Sequence, residues 1–127
     1  MKPETNVWLG LAEDDFQNAK LLWRNHRYGA TVFFYQQAVE KILKAYIIES
    51  QNIIPQKTHH IELLVKEARL NRDEISPSSV EELSKAYIRV RYPDLSRQYY
   101  TKKDNVKPLV VIAERVYLWT KKKLKEI

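Results

Sequence analysis

Few side chains in this sequence could do chemistry. There are three histidines and no cysteine, which excludes disulfides, thiol catalysis and cysteine-ligated zinc together. His59 and His60 are adjacent. Neighbouring side chains on a helix point about 100° apart, so this pair does not converge on one metal ion. No H-E-x-x-H pattern is present, and no metal site is expected. In the first turn of a helix either ring would help a cap or pack on a neighbour. His26 falls at a helix end. Gly10 and Gly29 are the only glycines, too few for a phosphate-cradling loop. Carboxylate pairs such as Glu13 with Asp14 and Glu81 with Glu82 read as exposed helix charges, and the chain order shows no Ser-His-Asp arrangement. No catalytic residue and no cofactor is assigned.

Binding is better provided for than catalysis. The formal net charge is +6 with a pI near 9.5, which favours contact with phosphate, nucleic acid or an acidic protein face. In RVRYPD, residues 89–94, Arg89 and Arg91 could grip a phosphate bidentately or satisfy carbonyls at a helix end. Tyr92 could stack on a base, and Asp94 could orient a guanidinium. The alternative is a fixed corner at Tyr92-Pro93, braced by Asp94 and an arginine. A second stretch, YQQAVEKILKAY, covers residues 35–46. At about 100° per residue, Tyr35, Ala38, Val39, Ile42, Leu43, Ala45 and Tyr46 fall on one half of the cylinder. Gln36, Gln37, Glu40, Lys41 and Lys44 fall on the other. That stripe faces water, a partner subunit or a ligand. Lys41 and Lys44 therefore join Arg89, Arg91 and Tyr92 as anion- or nucleotide-binding candidates, while Gln37, Glu40 and Asp94 are taken as structural. Glu40 and Lys44 form an i,i+4 pair in the favourable order. Lys121, Lys122, Lys123 and Lys125 make a terminal basic patch able to touch phosphates.

These residues have to be positioned by helices. A first helix is expected from about Thr5 or Asn6, either of which could cap it, with Trp8, Ala12, Phe16, Ala19 and Trp23 as its buried stripe. Gly29 is expected to be where the backbone leaves it. A second helix spans about Ala30 to Ser50, and a loop with Pro55 follows. Thr58 is expected to cap a third helix with His59 and His60 in its first turn. Ser78 to Glu81 has capping-box spacing and would open a fourth helix, with Val80, Leu83, Tyr87 and Val90 as its apolar stripe, ended by Pro93. Asp94 to Asp104 is read as a polar loop. A last helix runs from about Asn105, with Pro108 in its first turn. The fold class is all-α: an up-and-down antiparallel bundle of four to five helices, forming one domain over residues 1–127. No apolar run is long enough to span a membrane and no secretory leader opens the chain, so a cytoplasmic location is expected.

The segments AEDDFQNAKLL, RYGATVFFYQQAVEKILKAYI, KTHHIELL and RVRYPD resemble the HEPN domain family almost end to end. The QQA-x-EK-x-LKA core followed by TH-x-x-x-LL is its most specific part. The resemblance implies a four- to five-helix bundle whose first two long helices are antiparallel. It also implies a homodimer, binding of a nucleotide or RNA, and action with a minimal nucleotidyltransferase partner, in some members as toxin and antitoxin. Many relatives are metal-independent ribonucleases carrying an Arg followed one or two helical turns later by a His. This sequence departs from that motif. After Arg89 the corresponding positions hold Asp94, Leu95 and Ser96, and after Arg91 they hold Ser96, Arg97 and Gln98. The resemblance thus favours a binding module. The alternatives are a ribonuclease with a degenerate site, through His59 or His60, and a purely structural dimerisation module.

Overall fold

The computed structural model describes residues 1–127. All of its regular structure is helical. In chain order it comprises α1 (Pro3–Arg24), α2 (Tyr28–Gln51), α3 (Ile61–Glu67), α4 (Val80–Arg89), α5 (Pro93–Tyr99) and α6 (Lys103–Lys125), with a 3-10 turn at Arg72–Ile75. The count of six exceeds the expected four to five because the stretch after Pro93 is not a loop. Proline stops a preceding helix but suits the first position of the next, where its fixed φ is already helical and its missing N–H is not needed. Asp94 then falls in the first turn of α5, where a carboxylate suits the helix dipole.

α1 and α2 form an antiparallel hairpin clamped at its open end. The Lys2 backbone N–H and the Thr5 hydroxyl both donate to Glu49 Oε1, at 3.0 and 2.9 Å, and Lys2 Nζ donates to the Glu49 carbonyl at 2.8 Å. Thr5 is therefore a buried tie and not a cap, and the helix starts earlier, with Pro3 in its first turn. At the other end the chain turns at His26, whose φ of 60° is left-handed. Gly29, expected to make that exit, lies inside the first turn of α2 with no positive φ. Its constraint is space: a Cβ there would stand 3.3 Å from Ser96 Oγ of α5.

α2 supplies the centre of the core, with Tyr35, Ile42, Leu43 and Ile47 fully buried. α6 lies along it in the same direction, bringing Tyr35 beside Glu114 and Tyr46 near Lys123. The intervening α3 to α5 make the crossover that this parallel arrangement needs. Phe16 of α1 stacks on Tyr117 of α6 at 4.0 Å and meets Tyr35 edge-on at 5.9 Å. α2 stops at Asn52, which takes a left-handed φ of 56°.

Local signals in the crossover are used differently from their sequence appearance. The Thr58 hydroxyl accepts the His60 N–H at 3.1 Å, but α3 begins only at Ile61, so both histidines lie ahead of the helix. The Ile61 N–H donates to Ser84 Oγ of α4 at 2.7 Å, and that hydroxyl donates to Glu62 at 2.5 Å. The expected Ser78–Glu81 capping box does not form. α4 opens at Val80 without a side-chain cap, because Glu81 is turned to a bidentate pair with Arg72. Pro108 sits in the second turn of α6, not the first. It cannot donate to the Asp104 carbonyl. No helix is long and apolar enough to cross a membrane.

Candidate functional site

The polar stripe of α2 is not a solvated face. Glu40 is 3% exposed and Gln36 is 1% exposed. Burying a carboxylate costs free energy unless donors surround it, and three groups do so here. His59 Nδ1 lies 2.7 Å from Glu40 Oε1, Lys44 Nζ lies 3.4 Å from the same oxygen, and Gln37 Nε2 lies 3.4 Å from Oε2. Gln37 also donates to Gln36 Oε1 at 2.7 Å, while Gln36 Nε2 is buried without a partner. Since a carboxylate only accepts, Nδ1 of His59 carries the proton that Glu40 accepts, which leaves Nε2 on the other side of the ring.

Glu40 thereby fixes a ring that belongs to a loop, and the ring has a second anchor. His59 stacks on Tyr87 of α4, centroid to centroid at 3.6 Å with an interplanar angle of 11°. The Arg91 guanidinium carbon stands 4.0 Å from the centre of the same Tyr87 ring. Two planar groups at such distances cannot share one face of a ring, so His59 and Arg91 lie on opposite faces. Tyr87 and Arg91 are four residues apart, the spacing that brings side chains together along a helical turn. Both outer members of this stack are exposed. The Arg91 guanidinium makes no hydrogen bond or ion pair within the chain; the Tyr87 ring alone holds it. A groove of 590 Å³ lined by Gly29, Phe33, Phe34, Val90 and Ser96 opens beside it.

The other sequence candidates go elsewhere. Arg89 diverges from Arg91. Its guanidinium lies 3.9 Å over Tyr99 and its Nη1 donates to Glu82 at 3.3 Å, in a separate cleft against α6. There the Tyr100 phenol is pushed above the usual tyrosine range by burial, opposed by hydrogen bonding to the adjacent Arg89 guanidinium and by its charge. Lys41 is paired with Asp15 of α1 at 2.5 Å. Lys44, besides Glu40, lies 5.4 Å over Trp8. Both lysines thus pin α1 to α2, and neither joins Arg91. Tyr92 is 56% exposed and next to Arg91 in sequence. Asp94 makes no ion pair, so it braces neither arginine. His60 lies 3.2 Å from Glu62, apart from the stack. No group of three or more His, Asp or Glu side chains is placed to hold a metal ion.

Of the three residues in the stack, sequence reasoning singled out Arg91 as an anion ligand and His59 as an alternative catalytic group, but not Tyr87. Tyr87 was assigned only to an apolar stripe, although its i,i+4 relation to Arg91 was visible. His59 was placed inside α3, where it could not have reached Glu40 and Tyr87 together. Only the tertiary approach of the 52–60 segment to α2 and α4 shows its role.

Searches of characterised proteins and of solved structures return no match. The HEPN domain family model matches residues 5–124, from the clamp at Thr5 to the end of α6 and through every element of the stack, and so the chain belongs to the HEPN domain family.

Proposed function

We propose that this protein is a binding module for a nucleotide or an RNA segment, which it takes on the exposed His59–Tyr87–Arg91 face. The observation that carries this reading is the Arg91 guanidinium, held 4.0 Å from the centre of the Tyr87 ring with all its donors unengaged. A planar cation fixed in advance loses little conformational freedom on gripping a phosphate, and it does so bidentately. The exposed Tyr92 ring and the adjacent Phe33–Phe34 groove offer stacking surface for a base. The net charge of +6 adds long-range attraction. Calorimetric titration with ATP, AMP and a short single-stranded RNA tests the proposal. Saturable heat that is lost in Arg91→Ala supports it, and no heat at millimolar nucleotide or micromolar RNA removes it.

Family membership extends the proposal to partners and setting: a cytoplasmic homodimer acting with a minimal nucleotidyltransferase, in a toxin–antitoxin-like pair. Exposed apolar side chains on α1 (Val7, Leu11, Leu21) and α6 (Val111, Leu118) give a second copy something to cover. Sedimentation of the pure protein, and co-purification with the product of the adjacent reading frame, check the two claims separately.

One observation favours a second reading, ribonuclease activity. The family's linear Arg…His motif is missing, yet the fold sets His59 opposite Arg91 across one ring. With Nδ1 committed to Glu40, Nε2 of His59 is free to take a proton from a ribose hydroxyl. Metal-free incubation with mixed RNA decides this: cleavage lost in His59→Ala but kept in His60→Ala supports it, and no cleavage by the wild type rejects it.

A further inference from the structure

The contact with Glu40 decides where the His59 ring exchanges its proton. Glu40 Oε1 accepts from Nδ1 at 2.7 Å, and a carboxylate accepts from the neutral ring and from the cation alike. Nδ1 thus stays protonated, and the proton that the ring gains or loses belongs to Nε2. Glu40 is buried, while the His59 side chain is 48% exposed, so the exchanging atom lies on the solvent side. The ring is also fixed. It stacks at 3.6 Å on one face of Tyr87, and the Arg91 guanidinium stands 4.0 Å from the centre of the same ring on the other face. Two hydrogen bonds of about 2.8 Å and the width of one phosphate bridge such a gap.

The charges around the ring are of both signs. α2 contributes Glu40 and also Lys44, whose Nζ is 3.4 Å from the same Glu40 oxygen. α4 contributes Tyr87, and Arg91 follows it. His60 is next in the chain but lies 3.2 Å from Glu62. Glu40 favours a cationic ring, and Lys44 and Arg91 oppose it. Histidine is the residue type among these that changes charge near neutrality. An anion on the Arg91 face adds negative charge beside the ring and tips the balance toward the imidazolium.

We infer that phosphate binding on the Arg91 face is coupled to protonation of His59 at Nε2, so that the site takes up a proton as it fills and binds more tightly as pH falls. This rests on the binding reading above and adds its regulation. The sign follows from linkage. A ligand that prefers the protonated ring binds better in acid, and in turn it holds the ring protonated to higher pH. Without that proton, Nε2 turns a lone pair toward the phosphate oxygen and repels it.

A 2′-O-methyl oligouridylate with hydroxyl ends is the probe. Its phosphodiesters keep their charge near neutrality, whereas a phosphate monoester such as AMP gains charge near about pH 6. It also has no 2′-hydroxyl through which it could be cut. Its affinity, measured by calorimetry, should fall about three- to tenfold between about pH 5.5 and about pH 8. Titrations in two buffers of different ionisation enthalpy should show proton uptake on binding. His59→Gln keeps an amide donor for Glu40 and should bind alike at both pH values, without proton uptake. His60→Gln should behave as the wild type. With no substitution at all, the His59 ring resonance should titrate at higher pH when the strand is bound. Equal wild-type affinity at both pH values, or a pH dependence that survives His59→Gln, overturns the inference and leaves the binding reading standing. Absence of binding at either pH removes both.

Discussion

The Nδ1 of His59 stands 2.7 Å from Oε1 of Glu40, so a carboxylate buried in the longest helix sets the orientation of a ring carried by a loop. Removing the carboxylate strands the loop's anchor and leaves Lys44 and Gln37 without their shared acceptor. Glu40→Ala should destabilise the protein by about 1–3 kcal/mol. Glu40→Gln, which keeps one acceptor oxygen, should cost less. Urea denaturation followed by circular dichroism gives both values; equal stability of wild type and Glu40→Ala would show that the contact contributes nothing.

Arg91 and Arg89 should separate functionally. Arg91→Ala should weaken binding of nucleotide or RNA about tenfold, roughly 1.4 kcal/mol, with no loss of thermal stability, since the side chain is exposed and unpaired. Arg91→Lys should not restore it, because an ammonium lacks the planar fork. Arg89→Ala should leave nucleotide affinity unchanged. Calorimetric titration of the three variants measures this, and an equal effect of Arg89→Ala would place the anion in the other cleft.

Lys41 and Asp15 should behave as a structural pair. Their contact is partly buried, with side-chain exposures of 23% and 13%, so breaking one side leaves the other charge poorly solvated. Asp15→Ala should cost about 1–3 kcal/mol, and adding Lys41→Met to it should recover part of that loss. Denaturant midpoints for the double-mutant cycle show the coupling. Strictly additive losses would mean that the two residues act independently.

Stability should fall at both ends of the pH scale. Glu49 is held below the usual carboxylate value of 4.5 by the Lys2 N–H and the Thr5 hydroxyl, Glu81 by Arg72, and Glu74 by Lys123. Their folded pKa values lie below the unfolded ones, so their stabilisation is complete above the unfolded value and is lost as pH falls through the folded one. Tyr35 and Tyr117 are raised above the ordinary 10.0, first by burial and then by Glu114 and Glu13 respectively. Their contribution is complete below 10.0 and is lost as pH rises past it, because the unfolded chain ionises first. Melting temperature should therefore drop below about pH 4.5 and again above about pH 10. Tyrosinate absorbance from the two buried rings should appear only with unfolding. A Glu49→Gln variant should start lower at neutral pH and decline less in acid.

Much of the bundle was legible because its signals are periodic and local. The stripe from Trp8 to Trp23 and the divided face of α2 each named a helix, and the family resemblance rested on the same lines. The errors came where one residue has two uses. Pro93 both stops α4 and starts α5, and Gly29 makes no turn but lies inside α2, close to Ser96. Ser78 and Glu81 had the spacing of a cap, but Arg72 offered Glu81 a stronger partner. In the candidate site, Arg91 was legible from its type and position. His59 was legible as a candidate but its placement was not, because the 52–60 segment carries no periodicity and its partners, Glu40 and Tyr87, are set only when α2, α3 and α4 have docked.

That dependence has a consequence for how the protein matures. The ring of Tyr87 is faced by His59 from a loop and by Arg91 from beyond the end of α4, and the buried partner of that loop lies on α2, so both contacts of His59 need the docked fold. The complete face exists only where α2, α4 and the 52–60 segment are docked together. A ligand that recognises the finished stack selects only fully folded molecules, and by mass action it draws the folding equilibrium toward them.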